Sequence, residues 1–237
     1  MLQCLKDNKE TKNEKEIYPP PDRLKAFTLS EVLITLVIIG VIAAITVPNI
    51  IQTTEKQEVV SKVKKAYSVL QQATYRIAIE EGVPVGDYSL MRKGEFFDSF
   101  SKSVNTIKRC KNGDTSCLGK ARVVTLNGNS WEDDYLHNNA LVTADGISYS
   151  WVSAGGNICS NKGLNSDDVQ NCIGRFYVDI NGGTPPNIIG RDVFFFIAVN
   201  GKGIVPAGAA TTDDCKKKSL GITCAAKVLR DSAITYY

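Results

Sequence analysis

The sequence predicts an α+β chain, with one long N-terminal helix packed on an antiparallel β-sheet. Three observations predict it. Residues 32 to 54 contain no charged side chain, a run long enough to cross a hydrocarbon core of about 30 Å as a helix. Beyond it, Val59, Val63, Ala66, Tyr67, Leu70, Ala73, Ile77 and Ala78 recur at helical spacing, as an amphipathic helix requires. From 121 to 206 the chain turns to segments rich in β-branched and aromatic residues, broken by turn signals.

The first 26 residues, MLQCLKDNKETKNEKEIYPPPDRLKA, mix six basic and five acidic side chains with a triple proline. They read as a cytoplasmic targeting segment outside the fold. Arg23 and Lys25 beside the apolar run agree with a cytoplasmic N-terminus. A Sec-type signal peptide fits poorly, because the charged region is too long and no A-x-A site follows a short apolar stretch.

In KAFTLSEVLITL the acid Glu31 sits just inside the apolar run, where a carboxylate is costly unless it has a partner. A cut between Ala26 and Phe27 would supply one, by creating an α-amino group four residues from Glu31. Within one helix the first-turn amides already favour Glu31. Its stronger use is therefore to meet the Phe27 amine of a neighbouring subunit and set the stagger between identical helices.

The stretch KAFTLSEVLITLVIIGVIAAITVPNI resembles the prepilin-type segment of the type IV pilin and pseudopilin family. The likeness lies in a basic leader, a small residue before the cut, Phe27 as the new first residue, Glu31 as the fifth, Gly40 as the fourteenth and Pro48 as the twenty-second. One departure is Ala26, where the family usually has glycine. The resemblance implies leader removal and N-methylation of Phe27 by a prepilin peptidase/methylase. It further implies storage in the inner-membrane lipid, and extraction by an assembly platform into a helical filament of identical or related subunits.

Residues 28 to 81 would make a rod of about 80 Å, loosened at Pro48, which removes one helical hydrogen bond. Its end is expected near Gly82 and Pro84. A short amphipathic helix is expected at 95 to 108, where Phe96, Phe97, Phe100, Val104 and Ile107 keep helical spacing. Strand segments are expected at 121–126, 140–153, 173–183 and 193–205, with Asp145-Gly146 and Asn200-Gly201 as hairpin turns. Such a sheet needs a cover, and the apolar face of the long helix supplies it.

Seven cysteines, at 4, 110, 117, 159, 172, 215 and 224, leave six once the leader is removed. An even set at loop-closing spacings reads as a disulfide framework formed outside the cytosol. Six cysteines allow 15 connectivities. Short spacing favours Cys110–Cys117, Cys159–Cys172 and Cys215–Cys224, whereas the family resemblance implies a bridge tying the C-terminal region to the sheet, so both schemes stand. With no CxxC and a single histidine, His137, zinc is disfavoured.

Asp179, Asn181, Asn187 and Asp192 gather in a loop rich in glycine and proline. Their oxygens suit a hard cation such as calcium, and some pseudopilins carry calcium in this part of the head; Asx residues also build turns without metal. Trp131, Trp151, Tyr149, Tyr177 and Phe194 to Phe196 read as sheet core rather than a binding face. Lys216, Lys217 and Lys218 read as a solvated loop, and a net charge of +3 spread along the chain does not argue for nucleic acid. His137 has no catalytic partner at fitting spacing, and no hydrolase, P-loop, metalloprotease or dinucleotide motif occurs, so no enzyme is expected.

The expected organisation is a leader at 1–26, an apolar assembly helix at 27–51, its amphipathic half at 52–82 and a disulfide-bonded head at 83–237. The expected function is that of a structural subunit of a type IV pilus or type II secretion pseudopilus. The alternative is a monomeric membrane-anchored binding protein whose head captures a ligand outside the cytosol.

Overall fold

The computed structural model describes residues 27–84, 95–111, 114–118, 122–131, 139–153 and 158–237. The leader with Ala26 and Cys4, and also His137, lie outside the described residues. The chain divides into two compact units, Met1–Pro48 and Asn49–Tyr237.

Helix α1 (Leu29–Glu81) begins in the first unit and ends in the second, with Pro48 inside it. In the first unit every large apolar side chain from Phe27 to Val47 is exposed, the least of them Val32 at 42%. The helix is there apolar on all sides. Thr35 and Thr46 donate their hydroxyls to the carbonyls of Val32 and Ile42, each at 2.9 Å, so these polar groups are satisfied within the helix itself.

The second unit holds the rest: α2 (Glu95–Ser103), β1 (Thr106–Lys111), a 3-10 turn (Thr115–Cys117), β2 (Asn139–Thr143), β3 (Ser148–Ser153), α3 (Ser166–Gln170), β4 (Cys172–Asp179), β5 (Val193–Val199), β6 (Gly203–Pro206) and α4 (Cys224–Asp231). The strands form one antiparallel sheet in chain order, β1 to β6. Asp145-Gly146 turns β2 into β3 and Asn200-Gly201 turns β5 into β6, with both glycines at φ near +80°.

One face of the sheet packs on the helices. Val63, Ala66, Leu70, Ala73 and Ile77 of α1 and Phe96, Phe97 and Phe100 of α2 meet Leu141, Tyr149, Trp151, Phe176, Phe194 and Phe196. Tyr67 stacks on Phe196 at 5.7 Å between ring centroids. The other face is covered too, by Cys117, Leu118, Ile189 and Ile222 against Tyr177 and Phe195. This is why β5, Val-Phe-Phe-Phe-Ile-Ala-Val, is buried at every position: a strand covered on both sides loses the polar-apolar alternation.

Two expected elements change. The helix expected at 95–108 ends at Ser103, and Thr106 and Ile107 belong to β1. Thr106 donates its N–H to Val104 O at 2.8 Å and its hydroxyl to Ser101 O at 2.8 Å, reversing the chain; the β-branched residues then continue as strand. Of the strand expected at 121–126, the described residues 122–126 form only isolated bridges, Val124 facing Ser130 and Ile188. The turn at Asn127-Gly128 follows too soon: Thr125 N–H already reaches Asn129 O at 2.8 Å.

Candidate functional site

At the start of α1, Thr28 and Glu31 bond reciprocally. Thr28 N–H and Thr28 Oγ1 each donate to Glu31 Oε2 at 2.8 Å, and Glu31 N–H donates to Thr28 Oγ1 at 3.2 Å. This is a capping box, which satisfies first-turn donors that have no partner within the helix. Its signature, Thr-x-x-Glu immediately before an apolar run, stands in the sequence, and it gives the expected attraction of Glu31 to the first-turn amides a specific partner in Thr28. Both side-chain bonds end on Oε2, and among the described residues Oε1 accepts none.

Gly40 lies on the same apolar stretch, and a Cβ built on it would meet nothing within 4 Å. Its own chain does not require a glycine there. Phe27, the residue after the expected cut, is 84% exposed.

The loop between β4 and β5 brings Asp179, Asn181 and Asp192 together. Asp179 accepts the N–H groups of Asn181 and Gly183, one on each oxygen, both at 3.0 Å. Asp192 accepts Asn181 Nδ2 at 3.3 Å and the N–H of Ile188. Asn187 is directed elsewhere, its Nδ2 donating to Leu118 O at 3.4 Å. The carboxylates hold the turn together, as Asx residues do. Burial pushes the Asp179 carboxyl up to about 7, with the nearby Asp192 adding to the rise, and burial raises Asp192 as well. Among the described residues no three His, Cys, Asp or Glu side chains are grouped to hold a metal.

The sulfurs of Cys110 and Cys117, of Cys159 and Cys172, and of Cys215 and Cys224 stand at disulfide distance, with Cα separations of 6.0, 6.4 and 4.7 Å. Tyr149, Trp151, Tyr177 and Phe194 to Phe196 are buried in the two cores, with Trp131 packed partly buried at the second. Lys216, Lys217 and Lys218 are exposed on the Cys215–Cys224 loop. A depression of about 430 Å³ is lined by Val69, Ala73 and Val104 together with Lys65, Thr143 and Asp145; Thr143 donates its hydroxyl to Asp145, which also pairs with Lys65 at 3.0 Å, so these polar groups bind the β2–β3 turn to α1.

Residues 23–47 match the family model of the prokaryotic N-terminal methylation motif, the prepilin-type cleavage and methylation segment of type IV pilins and pseudopilins. No curated protein and no solved structure matches the chain. The motif supports a type IV pilin-like or pseudopilin precursor, and it implies processing by prepilin peptidase and assembly with pilin subunits. It points to a structural subunit rather than an enzyme. The helix it opens is long and apolar enough to cross a membrane, and motif and helix together fit membrane anchoring. The α+β arrangement of long helix and antiparallel sheet is a pilin-like architecture.

Proposed function

We propose that this chain is the precursor of a structural subunit that enters a type IV pilus or a type II secretion pseudopilus. One observation carries the reading: the methylation motif opens a helix whose first part, up to Val47, has its large apolar side chains exposed on every side. So much exposed apolar surface requires lipid or other helices as its cover. In this reading the leader is cut after Ala26 on the cytoplasmic side of the inner membrane and the Phe27 amine is methylated. The helix then leaves lipid for the filament core.

Glu31 gives the transfer its register. With Oε2 capping its own helix, Oε1 accepts the cationic amine of a neighbouring Phe27. A carboxylate buried without a cation in such a core would cost several kcal/mol, so only the stagger that pairs the two is stable. Gly40 supports close approach of a neighbouring helix, since its missing side chain leaves room on the outer surface.

The N-terminal mass of the protein from native membranes or a sheared surface fraction tests the reading. A chain beginning at N-methylated Phe27 is expected. A chain that retains residues 1–26 would instead leave a membrane-anchored binding protein.

A further inference from the structure

The two edges of the sheet are treated differently. At β6, Gln71 Nε2 and Tyr67 OH donate to Ile204 O at 3.1 and 3.4 Å. Just beyond it, Gly208 and Ala210 donate their N–H groups to Lys162 O and Gly163 O at 2.7 and 2.8 Å. That edge is closed. At the other end β1 is the terminal strand, Ile107 is 66% exposed, and Lys108, Arg109 and Lys111 are exposed as well. The chain leaves the strand through Thr106 N–H to Val104 O at 2.8 Å and Asp114 N–H to Lys111 O at 2.9 Å. Among the described residues the open stretch is therefore Ile107 to Cys110, which begins at a register shift against β2 between Thr106 and Lys108.

Its side chains are held in place. Arg109 pairs with Asp98 and lies over the Phe97 ring at 5.6 Å, Lys108 Nζ donates to Ser116 O at 3.1 Å, and Cys110 is bonded to Cys117. Beside the strand an open depression of about 650 Å³ is lined by Asp98, Lys102, Arg109, Lys111 and Asn139. Four cations, Lys102, Lys108, Arg109 and Lys111, thus surround the edge, and Lys102 and Lys111 have no ion-pair partner among the described residues. Like charges on such an edge repel a second copy of itself. They leave it selective for a strand of opposite charge.

We propose that the β1 edge is a strand-addition site for an extended acidic polypeptide segment. Its backbone would pair with Ile107 to Cys110 as a seventh strand, its carboxylates would meet Lys102 and Lys111, and an apolar residue would cover Ile107. The proposal concerns the second unit alone and does not depend on filament assembly.

The test uses the full chain in detergent and a fluorescein-labelled octapeptide of alternating glutamate and valine, with anisotropy for binding and hydrogen exchange for the backbone. Binding should slow exchange of amides within 106–111 while those of β6 are unchanged. Lys102→Glu with Lys111→Glu should weaken binding at least tenfold, and Lys216→Glu with Lys217→Glu, on the exposed loop, should not. If the first pair impairs folding, raising salt from 50 to 500 mM on the unaltered chain should weaken binding by a similar factor. Absence of binding, binding without protection of β1, or tighter binding of an oligodeoxythymidine at the same residues would overturn the proposal.

Discussion

Thr28 and Glu31 show how one side chain can serve two structures. In the single chain Glu31 is a cap, and a lost cap costs about 1 kcal/mol; in the proposed filament it is one half of an ion pair, whose unpaired remainder costs several. The two roles separate by mutation. Thr28→Val should fray the first turn and leave most of the surface filament, whereas Glu31→Ala should abolish filament while the chain stays in the membrane, both read by shearing and immunoblot. Asp179 is a second residue set by its surroundings. Its folded carboxyl titrates at about 7, above the unfolded value of about 4, so the folded state holds the extra proton between them. Stability should then be fully present below about pH 4 and fall as pH rises through 7. In thermal melts, Asp179→Asn should flatten this slope. Calcium at millimolar concentration should leave the Tm unchanged, because all four oxygens of Asp179 and Asp192 already accept donors; a rise of several degrees would assign the loop a cation.

At the scale of elements, the second half of α1 is part of the head's core. Leu70 is fully buried among the sheet aromatics, and Leu70→Ala should cost about 3 kcal/mol, read as a lower urea midpoint with an unchanged slope. This helix was legible because its apolar residues keep one period over several turns, and both hairpin turns were legible from Asp-Gly and Asn-Gly. β1 was not. Thr-Ile-Lys-Arg-Cys-Lys carries a strand's backbone with the charges that an edge position demands, so its hydrophobic pattern resembles the end of the preceding helix. The cover on the second sheet face was equally hidden, since Leu118, Ile189 and Ile222 come from irregular segments with no period to read.

For the whole molecule, the apolar segment and the head rest on different physics. In the first unit the described residues from Leu29 to Pro48 form an apolar helix that needs an apolar environment, while Asn49–Tyr237 encloses its own cores. The proposed pairing of Glu31 with a neighbouring Phe27 rests on chemistry alone, because it would form between two chains. In the head, three short cysteine loops with sequence separations of 7, 13 and 9 each restrain the unfolded chain by about 2–3 kcal/mol. Together they rival the whole stability of an ordinary domain. Reduction should therefore lower the Tm by more than about 15 °C, a shift that differential scanning calorimetry with and without a phosphine reductant would measure. The strand order has a kinetic consequence. Because each strand pairs with its predecessor in the chain, a growing polypeptide can extend the sheet in the direction of its own synthesis, with the tight turns at β2–β3 and β5–β6 closing first. The second half of α1 precedes all of them in the chain and carries the apolar face on which they pack, so each strand, as it is made, has a surface already synthesised to cover it.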